Sequence, residues 1–318
     1  MKFMEYMKAV ICTKYGAPDV LRLTKVLKPK PKKDEVCIKI YTTGVTASDM
    51  FIRSSQVPLW MMIPMRLKIG ILKPRKEILG SVFSGVIESV GDEIKRFKVG
   101  DEVYGMPGYT FGTYAEYLCL KETDSSKGCI ALKPKNITHE EATAAAYGGL
   151  LALQQVEKSN LQKGQEILIY GASGTSGTLA IQIAKHIGAK VTTVCGNTNV
   201  EMVKKLGADE TIDYTKQHTI PKGVTYDLVL DSVGKFKKSK LKSACKKALK
   251  RNGQYLSIDD EALQLDSKRL ERITSLIEAN YIKPVMDKIY PLEEIVGAHH
   301  YVETGHKKGG VAATVANT

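Results

Sequence analysis

The sequence predicts an α/β protein in two domains. Residues 134–283 read as a doubly wound parallel sheet, and residues 1–133, completed by 284–318, as a small β barrel. Three observations lead there. A chain of 318 residues is too long for one small core. Its first third alternates apolar and polar residues in short runs broken by glycine turns. From about Asn136, short apolar runs alternate with helical patterns, as in strand–helix–strand units that build a parallel sheet.

The β part comes first. After Asp34, the residues Val36, Ile38 and Ile40 alternate with Cys37, Lys39 and Tyr41, a half-buried strand. Gly85 to Val90 is a second strand, closed by Gly91-Asp92, and Val99 to Val103 is a turn between strands. Thr113 to Leu120 alternates again. One segment breaks the pattern. Val57 to Leu72 is rich in Met, Leu and Ile and holds the sole tryptophan, while Arg66, Lys68 and two prolines exclude a bilayer span. Two readings stay open for it: a helical or irregular insertion packed on the core, or an apolar wall over a substrate cleft. Membrane contact is a third.

In the second part, Thr138-His139-Glu140-Glu141 is a capping-box pattern before an alanine-rich helix. A strand follows from Glu166 and runs into a loop of small residues, Gly171-Ala172-Ser173-Gly174-Thr175-Ser176-Gly177. Leu179, Ile183 and Ile187 then recur every four residues, and Gly188 stands where a helix cap belongs. Further strands are expected at Lys190 to Val194, around Ile212 and Tyr214, at Tyr226 to Asp231, Gly253 to Ile258 and Val311 to Val315. Helices are expected at Val200 to Leu206, Lys268 to Ala279 and Leu292 to Val302.

Composition narrows the partners. The six cysteines are scattered, which argues against a disulfide framework or a zinc knuckle and fits a reducing cytosol. The start, Met1 to Tyr6, lacks the apolar core of a secretory leader, so a cytoplasmic protein is expected. The net charge is +13. Much of it lies in Lys235, Lys237, Lys238, Lys240, Lys242, Lys246, Lys247, Lys250 and Arg251. Between them Leu241, Ala244, Cys245, Ala248 and Leu249 mark one helical face, so this is an amphipathic helix with a solvated basic side. Contact with an anionic membrane surface is the alternative. No interleaved aromatic platform accompanies the lysines, which excludes nucleic acid. The six histidines read as surface or structural residues, and no Cys/His cluster has metal spacing.

The chemistry centres on the glycine loop. Ala172, Gly174 and Gly177 keep the spacing of a dinucleotide fingerprint between a strand and a helix. Small residues there permit a tight turn and close approach of a pyrophosphate, and the helix start offers N–H groups to it. An acidic residue at the end of the next strand would select NAD. That strand ends Val194-Cys195-Gly196-Asn197 without a carboxylate, so NADP is expected. Asn197, Asn199, Lys204 and Tyr214 are the candidate partners of its 2′-phosphate.

The chain resembles the medium-chain dehydrogenases/reductases, specifically their zinc-independent, quinone-reductase-like branch. The resemblance runs from Met7 onward. It rests on Met7-Lys8-Ala9-Val10, Gly44-Val45-Thr46-Ala47-Ser48-Asp49 with Ile52-Arg53, Leu79-Gly80, Phe97 to Val103, and Gly112-Thr113-Tyr114-Ala115-Glu116. It continues in Gly171 to Gly177, Leu206-Gly207-Ala208-Asp209, Asp231-Ser232-Val233-Gly234, and Gly305-His306-Lys307-Lys308-Gly309. It implies a GroES-like barrel beside a Rossmann domain, with the active site between them, and commonly a homodimer. The implied cofactor-binding set is Gly171, Ala172, Ser173, Gly174, Thr175, Ser176, Gly177, Cys195, Gly196, Asn197, Asn199, Tyr214, Ser232 and Val233.

Departures from the family matter. Its zinc alcohol dehydrogenases place a cysteine before the Ser-Asp pair and a Gly-His-Glu after the second strand. Here those positions hold Thr46 and Gly80-Ser81-Val82, so no metal is expected. Tyrosines common in the active-site loop are replaced by Phe51 and Val57, and a threonine of the helix facing the nicotinamide by Leu151. The remaining catalytic candidates are Thr46, Ser48 and Asp49, beside the cofactor's own ribose hydroxyl. Asp49 and Arg53 are expected to form a buried pair. The expected activity is hydride transfer from NADPH to a quinone or α,β-unsaturated carbonyl. Simple aldehydes or ketones, or a non-catalytic NADPH-binding role at a membrane, are the alternatives.

Overall fold

The computed structural model describes residues 4–56, 59–125, 128–235 and 239–316, apart from the side chains of residues 59–61. Of the residues singled out above, residues 1–3 of the start, Val57, Lys237 and Lys238 lie outside the described set. The chain divides into two compact units. The first comprises Met1–Ala146, Leu265–Thr274 and Met286–Thr318; the second comprises Tyr147–Gln264 and Ser275–Val285.

In the first unit, β1 (Tyr6–Cys12) and β2 (Leu21–Leu27) form an antiparallel pair. A seven-stranded sheet holds β3 (Glu35–Gly44), β4 (Phe83–Val90), β5 (Glu102–Met106), β6 (Tyr117–Lys121) and β7 (Cys129–Leu132). Two strands from the far end of the chain complete it, β13 (Met286–Pro291) and β14 (Gly310–Thr314), with β14 antiparallel to β3. The alternation of β3 has the expected result: Val36, Ile38 and Ile40 point into a core with Phe83, Ile87, Val103, Leu118 and Ile130. Each such buried side chain contributes about 1.5–3 kcal/mol. The helices of this unit are α1 (Ala47–Ser54), α2 (Leu59–Ile69), α3 (His139–Ala144), the first part of α8 (Ser267–Glu278) and α9 (Ile295–Glu303). Helix α9 packs Ile295, Ala298 and Val302 onto Val10, Leu79, Tyr114 and Val311.

The barrel unit is larger than its expected span of 1–133 with 284–318. Helix α3 has the predicted capping box, Thr138 with Glu141, but its buried side packs on β3, β4 and β14. Tyr104 likewise donates to the Leu270 carbonyl at 2.7 Å, which ties the start of α8 to β5. The first boundary therefore moves to Ala146 and Leu265–Thr274 joins this unit, while the return at Met286 lies close to the expected 284. The apolar segment after Val57 is helical over α2, with Pro64 inside it. It is only partly packed: Ile69 is buried, whereas Ile63, Leu67, Ile71 and Leu72 are exposed. No helix among the described residues is long and apolar enough to cross a membrane.

The second unit is a five-stranded parallel sheet. Its strands are β8 (Glu166–Tyr170), β9 (Lys190–Cys195), β10 (Glu210–Asp213), β11 (Tyr226–Asp231) and β12 (Leu249–Ser257), in the order β10-β9-β8-β11-β12. Its helices are α4 (Leu150–Ser159), α5 (Thr175–Ile187), α6 (Val200–Lys205), α7 (Lys240–Lys247) and the end of α8. Ile167, Leu168 and Ile169 of the central strand are all fully buried, as a sheet covered on both faces requires. The strand order reverses between β8 and β11. In such sheets ligands bind at the carboxyl ends of the strands beside this reversal. The basic helix α7 stops at Lys247, and Leu249 to Arg251 already belong to β12.

Candidate cofactor site and catalytic residues

The loop after β8 is shaped by two glycines. Gly171 has φ +80°, and a Cβ there would lie 2.4 Å from Val233 Cγ2. The N–H groups of Gly171 and Ala172 both donate to the Val194 carbonyl at 3.1 Å, which folds the loop back against the end of β9. Gly177, in the first turn of α5, comes so close that its Cβ would lie 2.4 Å from the Gly171 oxygen. Ala172 is tolerated in the first place of the fingerprint because it lies outside the left-handed region, which falls one residue earlier. Gly174 is the N-cap of α5 and offers no side chain to the first-turn N–H groups; no acidic residue stands in that turn. Ser173, Thr175 and Ser176 complete the loop. The cradle therefore fits a pyrophosphate on both counts: backbone room, and N–H groups without a side-chain cap.

The loop after β11 forms the opposite wall. Ser232 N–H donates to the Tyr170 carbonyl at 2.9 Å, and Val233 packs on Gly171. Asp231 accepts from the N–H groups of Val233 and Gly234 at 3.0 and 3.2 Å. Its other oxygen takes the Tyr255 hydroxyl at 2.7 Å and an ion pair with Lys242 at 2.9 Å. Lys242 also donates to the Gly234 carbonyl at 2.7 Å. This corrects the reading of Lys242 as part of a solvated face: it is buried, next to Leu241 and one turn before Cys245 on the inner side of α7. Lys235 pairs with Asp260, and Lys250 with Glu166 and Asp227, so the lysine cluster is also partly neutralised.

At the end of β9, Cys195, Gly196, Asn197, Asn199 and Tyr214 come together. Tyr214 N–H donates to the Cys195 carbonyl at 3.1 Å and Asn199 N–H to that of Gly196 at 2.9 Å. A Cβ on Gly196 would lie 3.3 Å from the Tyr214 hydroxyl. Lys204 sits on the exposed side of α6, 4.0 Å from Glu201. The sequence reading missed Asp213, which ends β10 directly opposite Cys195. Its carboxylate accepts from Thr215 Oγ1 at 2.7 Å and Thr215 N–H at 2.9 Å. These hydrogen bonds, the hydroxyl's first, hold it below the usual carboxylate range.

The catalytic candidates lie in the first unit, at the start of α1. Thr46 is the N-cap and Asp49 the third residue of a reciprocal capping box. Thr46 Oγ1 donates to Asp49 Oδ2 at 2.6 Å and accepts from Asp49 N–H at 3.2 Å. Thr46 N–H donates to the same carboxylate oxygen at 2.9 Å. Burial pushes the Asp49 carboxyl up to about 6, against the hydrogen bonds of Thr46 and Ser81 that favour its charge. Ser48 stands between them in the first turn, half-buried. Arg53 is buried as expected, but its partners are Glu303 and the Gly16 carbonyl. The capping box turns Asp49 back toward Thr46, one helical turn away from Arg53. Among the described residues, no three or more His, Cys, Asp or Glu side chains are grouped so as to hold a metal ion.

Comparison with known proteins identifies the family. The family described as "Alcohol dehydrogenase GroES-like domain" matches residues 32–132. That described as "Zinc-binding dehydrogenase" matches residues 177–264 and, in a second form, 260–312. The chain is 32% identical to 2-methylene-furan-3-one reductase of Solanum lycopersicum, over 96% of this chain and 78% of that protein. It is 29% identical to the chloroplastic NADPH-dependent alkenal/one oxidoreductase of Arabidopsis thaliana, with the same coverage, 96% and 78%. Among solved structures, the quinone oxidoreductase from Coxiella burnetii superposes with a TM-score of 0.85 at 25% identity, over 98% of this chain and 100% of that one.

Proposed function

Because the chain belongs to the medium-chain dehydrogenase/reductase superfamily, in its quinone-oxidoreductase-like branch, we propose that it is a zinc-independent reductase of quinones or α,β-unsaturated carbonyls that uses NADPH. The observation that carries the reading is the cradle of Gly171, Gly174 and Gly177, closed by Val233 and the Asp231 loop. When bound, the reduced nicotinamide supplies the hydride, and the protein supplies position and electrostatics. The first turn of α5 would hold the pyrophosphate. Asn197, Asn199 and Tyr214 would hold the ribose end, beside Asp213, whose Oδ1 takes both hydrogen bonds from Thr215. Zinc does not fit: Thr46 and Ser81 offer neutral hydroxyls where a metal needs thiolate or imidazole. No Lewis acid is therefore assigned a part.

Charge developing on the acceptor's oxygen needs a hydrogen-bond donor. The side-chain donors of that turn are the hydroxyls of Thr46, which also donates to Asp49, and of Ser48. The engagement of Thr46 with Asp49 favours a second reading, an NADPH-binding protein without turnover. One experiment separates them: NADPH oxidation followed against a panel of quinones, enones, enals and simple aldehydes, with and without a zinc chelator. Turnover of quinones or enones that the chelator leaves unchanged supports the proposal. Loss of turnover on chelation, or tight NADPH binding with no acceptor reduced, overturns it. Dissociation constants for NADPH and NADH test the cofactor preference, and equal values would refute it.

A further inference from the structure

The barrel unit carries a pair of thiols outside the cofactor and catalytic residues. Cys37 on β3 and Cys119 on β6 are directly opposed across an antiparallel pair. The ladder position is informative. Ile40 N–H donates to the Glu116 carbonyl at 2.9 Å, and that pair continues the same register. Hydrogen-bonded pairs alternate with open ones in an antiparallel ladder, so 38/118 is hydrogen-bonded and 37/119 is open. At open positions the Cα atoms come within about 4.5 Å and side chains stand closest, inside the span of about 4.4–6.8 Å that a disulfide bridges. Both thiols lie on the outward side of the sheet, with Lys39 and Tyr117, opposite the core face of Ile38 and Leu118.

Access and activation are also built in. Cys37 is itself buried, and it lines a cavity of about 360 Å³ with Lys28, Pro29, Glu88 and Ser89. Cys119 is half-buried, and both sulfurs are free thiols. The hydrogen bond from Cys119 holds the Cys37 thiol below its ordinary range, against burial and the Glu88 charge, with Lys28 and Ser89 assisting. Cys12, Cys129, Cys195 and Cys245 are buried too, but there burial pushes each thiol up.

We propose that Cys37 and Cys119 form a reversible cross-strand dithiol site that reacts with hydroperoxides. The Cys37 thiolate attacks one peroxide oxygen; the O–O bond breaks and an alcohol, or water from hydrogen peroxide, leaves with the thiol's proton. Cys119 then attacks the resulting sulfenic sulfur, the S–O bond breaks, and water leaves with the second proton. Two thiols are oxidised to one disulfide, and one peroxide is reduced by two electrons. A reducing thiol reverses the change.

The test uses the intact folded chain and hydrogen peroxide, with thiol titration and peptide mass spectrometry under non-reducing conditions. The expected result is loss of two of the six titratable thiols, a peptide linking Cys37 to Cys119, and recovery of both thiols with dithiothreitol. Phenylarsine oxide is a second probe, since a trivalent arsenical condenses with two adjacent thiols and releases water. One equivalent should bind to the native chain and none to the Cys37→Ser or Cys119→Ser variants. Sulfinic acid at Cys119 forming equally fast in Cys37→Ser and the native chain would overturn the proposal. So would a linked peptide found only after denaturation. The readouts on the native chain stand even if a variant fails to fold.

Discussion

Lys242 reaches the buried carboxylate of Asp231 at 2.9 Å, and through it steadies the loop that packs against the Gly171 cradle. Removing one member of a buried pair leaves an uncompensated charge, which costs about 3–5 kcal/mol. Lys242→Met keeps the volume but not the charge. It should lower stability in urea unfolding by that amount and weaken NADPH binding. Lys242→Met with Asp231→Asn should recover part of the stability, because the stranded charge is gone. If the single variant unfolds like the native chain, the pair does not support the loop.

The three glycine positions of the cradle separate packing from ligand approach. A methyl group on Gly177 would sit 2.4 Å from the Gly171 oxygen, so Gly177→Ala must push α5 off the loop at Gly171 and Ala172. One on Gly174 would meet only the Gly171 oxygen at 3.5 Å, an ordinary contact. Gly177→Ala should therefore reduce both thermal stability and NADPH affinity, the latter by more than about tenfold, or roughly 1.4 kcal/mol. Gly174→Ala should leave the melting temperature nearly unchanged and weaken NADPH binding alone. Unaltered affinity in Gly174→Ala would mean that the pyrophosphate does not approach that residue.

These residues also show what the sequence made legible. The period-two alternation of Val36, Ile38 and Ile40, the capping box at Thr138, and the spacing of Ala172, Gly174 and Gly177 are local signals, and each produced the element it implied. Pairing across long separations was not legible. Arg53 finds Glu303 rather than its neighbour Asp49 because Asp49 is held by its own cap. Lys242 looked solvated because a helical pattern shows which side is apolar, not whether a carboxylate waits beyond it. Asp213 escaped notice because only the register of β10 on β9 brings it beside Cys195. Leu249 fitted the helical face of α7 and equally a strand, and the sheet took it.

Thr46 and Ser48 make opposite predictions. Thr46 holds its hydroxyl proton in the capping box, so Thr46→Val should cost about 0.5–2 kcal/mol of stability through the lost cap. Its turnover with a quinone or enone should stay within a few-fold. Ser48→Ala removes the other hydroxyl of that turn and should lower kcat by roughly 10²-fold or more. Steady-state kinetics on both, beside their melting curves, decides. A larger kinetic loss in Thr46→Val than in Ser48→Ala would reverse the two roles.

Asp49 and His299 should give the first unit two opposed pH dependences. The Asp49 carboxyl lies at about 6 in the folded chain and at 3.8 in its absence, raised by burial. Between those values the folded state holds the extra proton, so this group's contribution falls as pH rises from about 4 to 6. His299, hydrogen-bonded to Tyr114 at 3.0 Å, is lowered from 6.5 to about 3 by burial first and by the Arg53 charge second. There the unfolded state binds the extra proton, so stability is lost as pH falls from 6.5 toward 3. The two contributions oppose each other through pH 4–6. Asp49→Asn should remove the first, and its stability relative to the native chain should improve from pH 4 to pH 7. His299→Gln should remove the second, and its relative stability should improve as pH falls from 7 to 4. Urea unfolding at pH 4, 5, 6 and 7 reads both. Parallel curves for the native chain and Asp49→Asn would show that Asp49 does not titrate in this window.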